Sequence, residues 1–278
     1  MTITGDYHTH TKYSKFNHGK NTIAEMVEAA KDKGLSFLAI TDHGPRHLAF
    51  GIRRKNIKKA RVEIDEINKN TTATAGKSQT ASTESADERA LVEIDKINKK
   101  GQLKRVYLGI EANLIGCDGK IDLTQKEIDT LDLLIVGYHR GTINNIIKPF
   151  GLFPKTKAQI ERQTQAYINL VNRYDVDFIT QLCEYIQVDC KRVAEACAKT
   201  DTLIEINTRH FRFTDKQMQE MLETPVKFII SSDAHRKDRV ASVDNALAQV
   251  EKYNIPHERI VNFGTDYVPK KLRKKTEN

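Results

Sequence analysis

The chain has 278 residues, 39% of them hydrophobic, with only 14 Gly and 6 Pro, which excludes a disordered or fibrous chain and suffices for one barrel-sized domain. No apolar run approaches the roughly 18 residues needed to cross a bilayer, and no apolar leader stands at the amino terminus, so a soluble, unexported, cytoplasmic protein is expected. The net charge of +8 is concentrated in two clusters, Arg53 to Arg61 and Lys270 to Lys275. With no RNA-binding aromatic signature or zinc-finger spacing beside them, these read as a solvated helix face and a basic tail over 270–278.

Taken in chain order, the first feature is Asp6-Tyr7-His8-Thr9-His10. In an extended strand, side chains two apart point the same way, so His8 and His10 would stand together as half of a metal site. Thr22 to Lys33 carries Ile23, Met26, Val27 and Ala30 at helical spacing, and Gly34 stands where a left-handed cap is wanted. Leu35 to Ile40 is then an almost continuous apolar run, as for a strand covered on both faces. Further runs of this kind are Arg105 to Ile110, Leu131 to Val136, Val176 to Thr180, Thr202 to Ile206 and Val226 to Ile230. Helical patterns at Ala158 to Arg173, Asp189 to Lys199, Asp215 to Leu222 and Val240 to Tyr253 separate most of them. Strand and helix in steady alternation predict an α/β fold with a parallel sheet, and this many repeats favour a closed barrel.

One region breaks the rhythm. Residues 62–69 (VEIDEINK) recur as 92–99 (VEIDKINK), with a low-complexity insert around 70–90 between them. Such a composition buries too little apolar surface to offset ordering entropy, so an irregular insert between two near-repeated amphipathic segments is expected within a single domain. One copy is expected to serve as a barrel helix. The four cysteines, at 117, 183, 190 and 197, lack CxxC spacing and read as reduced thiols.

The ends of the predicted strands carry the chemistry. They read Thr41-Asp42-His43, Glu111, Tyr138-His139 and Ser231-Ser232-Asp233-Ala234-His235. In a parallel barrel the carboxyl ends of all strands open on one face, where residues far apart in sequence meet. Arg140 and Arg209, each just past a strand, could present guanidinium donors to a phosphate. His47 and His210 flank the same rim, and Glu205 and Asn207 share one strand face as a polar barrel layer.

The segments DYHTHT at 6–11, AITDHGP at 39–45, LGIEANL at 108–114, VGYHRG at 136–141 and SSDAH at 231–235 together resemble the PHP phosphoesterases, named for polymerase and histidinol phosphatase. GIEANL followed by Asp118-Gly119, and EIN at 205–207, look most like the small stand-alone bacterial phosphatases of the group. The resemblance implies a distorted seven-stranded (β/α) barrel binding two or three divalent metals, Zn, Mn or Fe. Carried over, His8, His10 and Asp233 would hold one ion and Glu111 would bridge it to a second, with His139. His43, His235 and, from the loop Thr11 to Lys20, His18 would hold a third. Asp42 would act through water or on its neighbouring ligand, and with Arg140 and Arg209 it completes the catalytic candidates.

The chain departs from the pattern after the fifth strand. Where the family places a ligand histidine it reads Thr180-Gln181-Leu182-Cys183-Glu184. An amide oxygen binds a transition metal more weakly than imidazole. A harder ion such as Mn²⁺, substitution by Glu184 or Cys183, or fewer metals would each accommodate the change. The expected function is a metal-dependent phosphoester hydrolase acting on a small phosphate monoester, without a membrane partner. An exonuclease or polymerase accessory that binds nucleic acid, and a metal-binding barrel of reduced activity, are the alternatives; oligomeric state is not legible.

Overall fold

A computed structural model describes residues 2–77, 103–142 and 156–276. Seven parallel strands stand in chain order in one sheet. They are β1 (Gly5–Asp6), β2 (Phe37–Ile40), β3 (Arg105–Asn113), β4 (Leu133–Gly137), β5 (Phe178–Ile179), β6 (Leu203–Asn207) and β7 (Phe228–Ser231). The sheet curls so that its ends meet: Thr9 pairs with Ala234, and His10 N–H donates to Ala234 O at 2.8 Å. Below that contact the Asn262 side chain replaces strand pairing. It donates to Gly5 O at 3.0 Å and Ile230 O at 2.8 Å and accepts from Ile230 N–H. The result is the nearly closed (β/α) barrel that strand–helix alternation predicts.

Side-chain alternation sorts the strand residues into two layers. Leu38, Ile40, Val106, Leu108, Leu134, Val136, Ile204 and Ile206 pack outward under the helices. Phe37, Tyr107, Leu133, Ile135, Phe178, Leu203 and Ile229 form a separate cluster with Tyr7 and Tyr267. Their period of two sends this second set into the barrel. Continued toward the carboxyl ends, the inward register falls on Glu111, His139, Thr180, Glu205 and Asp233, so one periodicity builds both the apolar floor and the polar mouth.

The helices are α1 (Ile23–Asp32), α2 (Arg54–Lys77), α3 (Gln125–Ile128), α4 (Lys157–Arg173), α5 (Cys190–Lys199), α6 (Asp215–Leu222), α7 (Asp244–Lys252) and α8 (Lys270–Thr276). Reciprocal capping boxes, Thr22/Glu25, Thr124/Glu127, Thr156/Gln159 and Thr214/Gln217, begin α1, α3, α4 and α6. α1 buries Ile23, Met26, Val27 and Ala30, the face expected from spacing, and Gly34 follows at φ +74°. The expected helix 240–253 starts instead at Asp244, after a 3₁₀ turn at Lys237–Arg239.

The first copy of the repeat lies in α2, against the barrel. Ile57, Ala60 and Ile64 are buried, and Asn68 clamps both the N–H and the C=O of Val106 in β3, at 2.8 and 2.9 Å. α2 continues helically to Lys77, past the point where the irregular insert is expected to begin. The second copy and most of the insert lie outside the described residues.

The basic segment from Lys270 is anchored in the fold at its start, while Lys274 and Lys275 stay exposed. It forms α8, and Lys270 is buried, its Nζ donating to Thr200 O and Thr202 Oγ1, both at 2.9 Å. Lys271 Nζ takes Asp129 O and Leu131 O at 2.5 and 2.9 Å, and Arg273 and Lys274 pair with Asp201 and Asp175. Carbonyls left over at helix and strand ends attract these cations into the fold. Among the described residues no helix is long and apolar enough to cross a membrane.

Candidate metal centre

At the carboxyl-end face, side chains from five separated segments converge. His8 Nε2 lies 3.3 Å from Glu111 Oε1, and His10 Nε2 lies 3.1 Å from Asp233 Oδ1. His139 Nε2 lies 3.0 Å and His43 Nδ1 2.8 Å from the two Glu111 oxygens. Three overlapping sets each hold ligand atoms within 4.8 Å of one another: His8, His10 and Asp233; His43, Glu111 and His139; His10, His43 and His235. His18 joins the last, its Nε2 2.7 Å from His235 Nε2 and 3.3 Å from His43 Nε2. Of the nine histidines, only His257 stands apart.

The cluster is left short of partners. His10 Nδ1, His43 Nδ1, Glu111 Oε2 and Asp233 Oδ1 are buried without a hydrogen bond. His43 Nδ1 and Glu111 Oε2 lie 2.8 Å apart without forming a hydrogen bond. Buried polar atoms are nearly always satisfied, and each exception costs on the order of 1–3 kcal/mol. Four exceptions among imidazoles and carboxylates in one place fit divalent cations as the missing partners.

Outside this ring, His8 and His139 are oriented from behind. His8 Nδ1 meets Glu205 Oε1 at 2.6 Å, leaving its Nε2 toward the cluster. Glu205 in turn accepts from Ser231, from Gln181 N–H at 3.0 Å and from Asn207 Nδ2 at 3.1 Å. His139 Nδ1 lies 2.9 Å from Asn113 Oδ1, and Asn113 Nδ2 donates to Asp122 Oδ2 at 2.6 Å. Such contacts fix tautomer and ring direction. Thr180 Oγ1 donates to Glu111 Oε1 at 2.9 Å. The inward alternation of the strands could have pointed to Thr180 and Asn113 in the sequence, the latter inside LGIEANL at 108–114.

Electrostatics divide the histidines. Burial opposes charge on His8 and His139, yet Glu111 outweighs it and raises both above the usual imidazole value, with Glu205 and Asp233 assisting at His8. Burial and neighbouring imidazoles lower His10 far, His18 to about 4 and His235 to about 2. Burial would raise Glu111, but His139, His8 and His43 hold it well below the carboxylate range. An ionised Glu111 beside proton-holding His8 and His139 is a donor set that a divalent cation enters by displacing those protons.

The three remaining candidates sit differently. Arg209 Nη1 donates to Asp233 O at 3.0 Å and lies 2.6 Å from His235 Nδ1, half exposed above the cluster. Arg140 is exposed, its guanidinium 5.2 Å from the centre of the Tyr185 ring. Asp42 is buried and turned into the loop after β1. It accepts from Thr11 N–H at 2.8 Å, Thr11 Oγ1 at 2.6 Å and Ser14 Oγ at 2.5 Å. His47 is buried beside His43, lowered to about 3 by burial first and then by His43 and His139. His210 Nε2 lies 3.5 Å from Asp233 Oδ2.

Known proteins share this arrangement of chain and fold. The chain is 28% identical over 286 residues to a protein named "Probable phosphatase TTE1963" of Caldanaerobacter subterraneus, covering 97% of this chain and 91% of that one. It is 25% identical over 270 residues to "Probable phosphatase YcdX" of Escherichia coli, covering 92% and 89%. Its fold is similar to that of the histidinol phosphate phosphatase of Lactococcus lactis, crystallised with Zn, L-histidinol and phosphate; the TM-score is 0.55 at 14% identity, over 92% of this chain and 95% of that one. The PHP domain family model matches residues 6–209, spanning four of the five converging segments. With that match covering most of its length, the chain belongs to the PHP domain family.

Proposed function

We propose that this protein is a metal-dependent phosphoester hydrolase that acts on a small phosphate monoester. The observation that carries the reading is Glu111, a buried carboxylate ringed by His8, His43 and His139 with one oxygen left without a hydrogen bond. The relatives named probable phosphatases and the fold neighbour crystallised with zinc and phosphate support it.

In this reading His8, His10 and Asp233 hold one divalent ion, Glu111 and His139 a second, and His18, His43 and His235 a third, with Zn, Mn and Fe as the candidates. Such ions would supply a water activated near neutral pH and clamp phosphoryl oxygens. The chain's own groups prepare that chemistry. Glu205 and Asn113 hold the His8 and His139 rings in register. Asp42 is a positioning residue that ties down the loop bearing His18, through Thr11 and Ser14. Arg209 stands over the cluster where its guanidinium nitrogens other than Nη1 can take a phosphate oxygen, and Arg140 extends the positive rim. The engaged lysines of α8 give the nucleic-acid alternative no support.

Metal analysis of the purified protein, paired with a screen of phosphate monoesters under Mn²⁺, Zn²⁺ and Fe²⁺, tests the proposal. Bound metal and phosphate release, both removed by a chelator and restored by metal, are expected. Protein that binds no divalent ion, or releases no phosphate from any monoester while loaded, would overturn it.

A further inference from the structure

Gln181 is 7% exposed, and its amide carries a further assignment. Phe178 faces the barrel interior and Thr180 reaches Glu111, so an extended backbone would send Gln181 outward, away from the cluster. Instead its φ is +48°, the left-handed region that non-glycine residues avoid at a cost on the order of 1 kcal/mol or more. Glu205 Oε2 accepts the Gln181 N–H at 3.0 Å and holds that turn. The turn brings the side chain back inward, where Nε2 donates to Asp233 Oδ2 at 3.2 Å. Because Asp233 can only accept, the amide cannot be reversed without facing oxygen to oxygen. Oε1 is therefore the outstanding end, and it is buried without a hydrogen bond.

The geometry points to Gln181 Oε1 as a neutral oxygen donor to the divalent-cation cluster, one that biases it toward a harder ion, Mn²⁺, and away from Zn²⁺. An amide oxygen favours Mn²⁺ relative to the nitrogen-rich sites, where Zn²⁺ gains from imidazole. The same side chain serves Asp233 through its nitrogen, so one residue donates to a ligand and offers a lone pair to the ion. The inference rests on the metal-dependent reading above, but its readout is metal content, not turnover.

Metal-stripped protein is dialysed against MnCl₂ and ZnCl₂, singly and in equimolar mixture, and bound metal is counted by mass spectrometry, with Mn²⁺ also followed by electron paramagnetic resonance. Gln181→Ala should weaken Mn²⁺ binding by about 10- to 100-fold. Gln181→His should raise the bound Zn²⁺:Mn²⁺ ratio by about tenfold or more. Unchanged Mn²⁺ affinity in Gln181→Ala, or an unchanged ratio in Gln181→His, would overturn the assignment. Should Gln181→Ala fail to fold, Gln181→His alone decides. Metal binding that follows these shifts without phosphate release would sustain the donor role and sink only the hydrolase reading.

Discussion

At the amino-terminal end of the barrel Asp177 is fully buried, and every contact a carboxylate needs is in place. It accepts from Leu134 N–H and Lys270 N–H, both at 2.8 Å, and from Tyr267 Oη at 2.7 Å. At the opposite end Glu111 is just as buried, and its Oε2 has no hydrogen bond. Beneath the first lies an aromatic floor, with Tyr7 5.4 Å from Tyr267 and 6.1 Å from Tyr107 between ring centres. Around the second stand imidazoles. A satisfied buried charge belongs to the fold, whereas an unsatisfied one surrounded by further donors of lone pairs belongs to a ligand.

Breaking each end separately tests that contrast, and the largest effect is expected at the mouth. Glu111→Gln keeps the shape and removes the central charge, so bound metal should drop and kcat/KM for phosphate monoesters should fall by about 10³-fold, about 4 kcal/mol of transition-state stabilisation. Retention of both metal and rate would place the ions elsewhere. Asp177→Ala does the converse. It strands three buried donors and should cost about 3 kcal/mol or more in urea denaturation, while the folded fraction keeps its kcat within about twofold.

The same contrast explains what was legible in the sequence. Glu111, His139 and Asp233 stand at the ends of apolar runs, so alternation and fold class together place them on one face. His18 reaches the cluster through a loop with φ +51° at Phe16 and +56° at Asn17, a path that no periodicity encodes. Gln181 is turned inward by a backbone angle that sequence does not reveal. At the other end, Lys270 looked like part of a solvated run because charge patterning cannot see the carbonyls of Thr200 and its neighbours waiting for a cation. The apolar runs beginning at Leu35, Leu131 and Val176 each start two residues before their strands, because the first apolar residue of each run packs before pairing begins.

A smaller effect separates proton binding from metal binding at the mouth. His47 is held at about 3, against about 6.5 for an unfolded chain, so the unfolded state binds a proton that the folded state refuses. Its contribution is therefore fully present above pH 6.5 and is lost progressively as pH falls toward 3. His18 and His235, lowered for the same reason, act in the same direction. Metal-free protein should lose urea stability steadily from pH 7 to pH 5. His47→Gln should make that loss shallower; an equal slope in both proteins would show that His47 does not titrate as placed.

The smallest expected effect lies away from both ends, at the start of α6. Thr214 Oγ1 accepts from Gln217 N–H at 3.3 Å, and Gln217 Oε1 accepts from Thr214 N–H at 2.9 Å. Thr214→Ala removes one half of this exchange where water can replace it, so about 1 kcal/mol is expected, as a lower urea midpoint with an unchanged denaturant slope. Metal content and kcat should not move, because Thr214 is exposed and, among the described residues, its hydrogen bonds stay within its own capping turn. A fall in bound metal in Thr214→Ala would mean that helix ends and ligand cluster form one cooperative unit, and the division between a satisfied frame and an unsatisfied mouth would fail at its weakest seam.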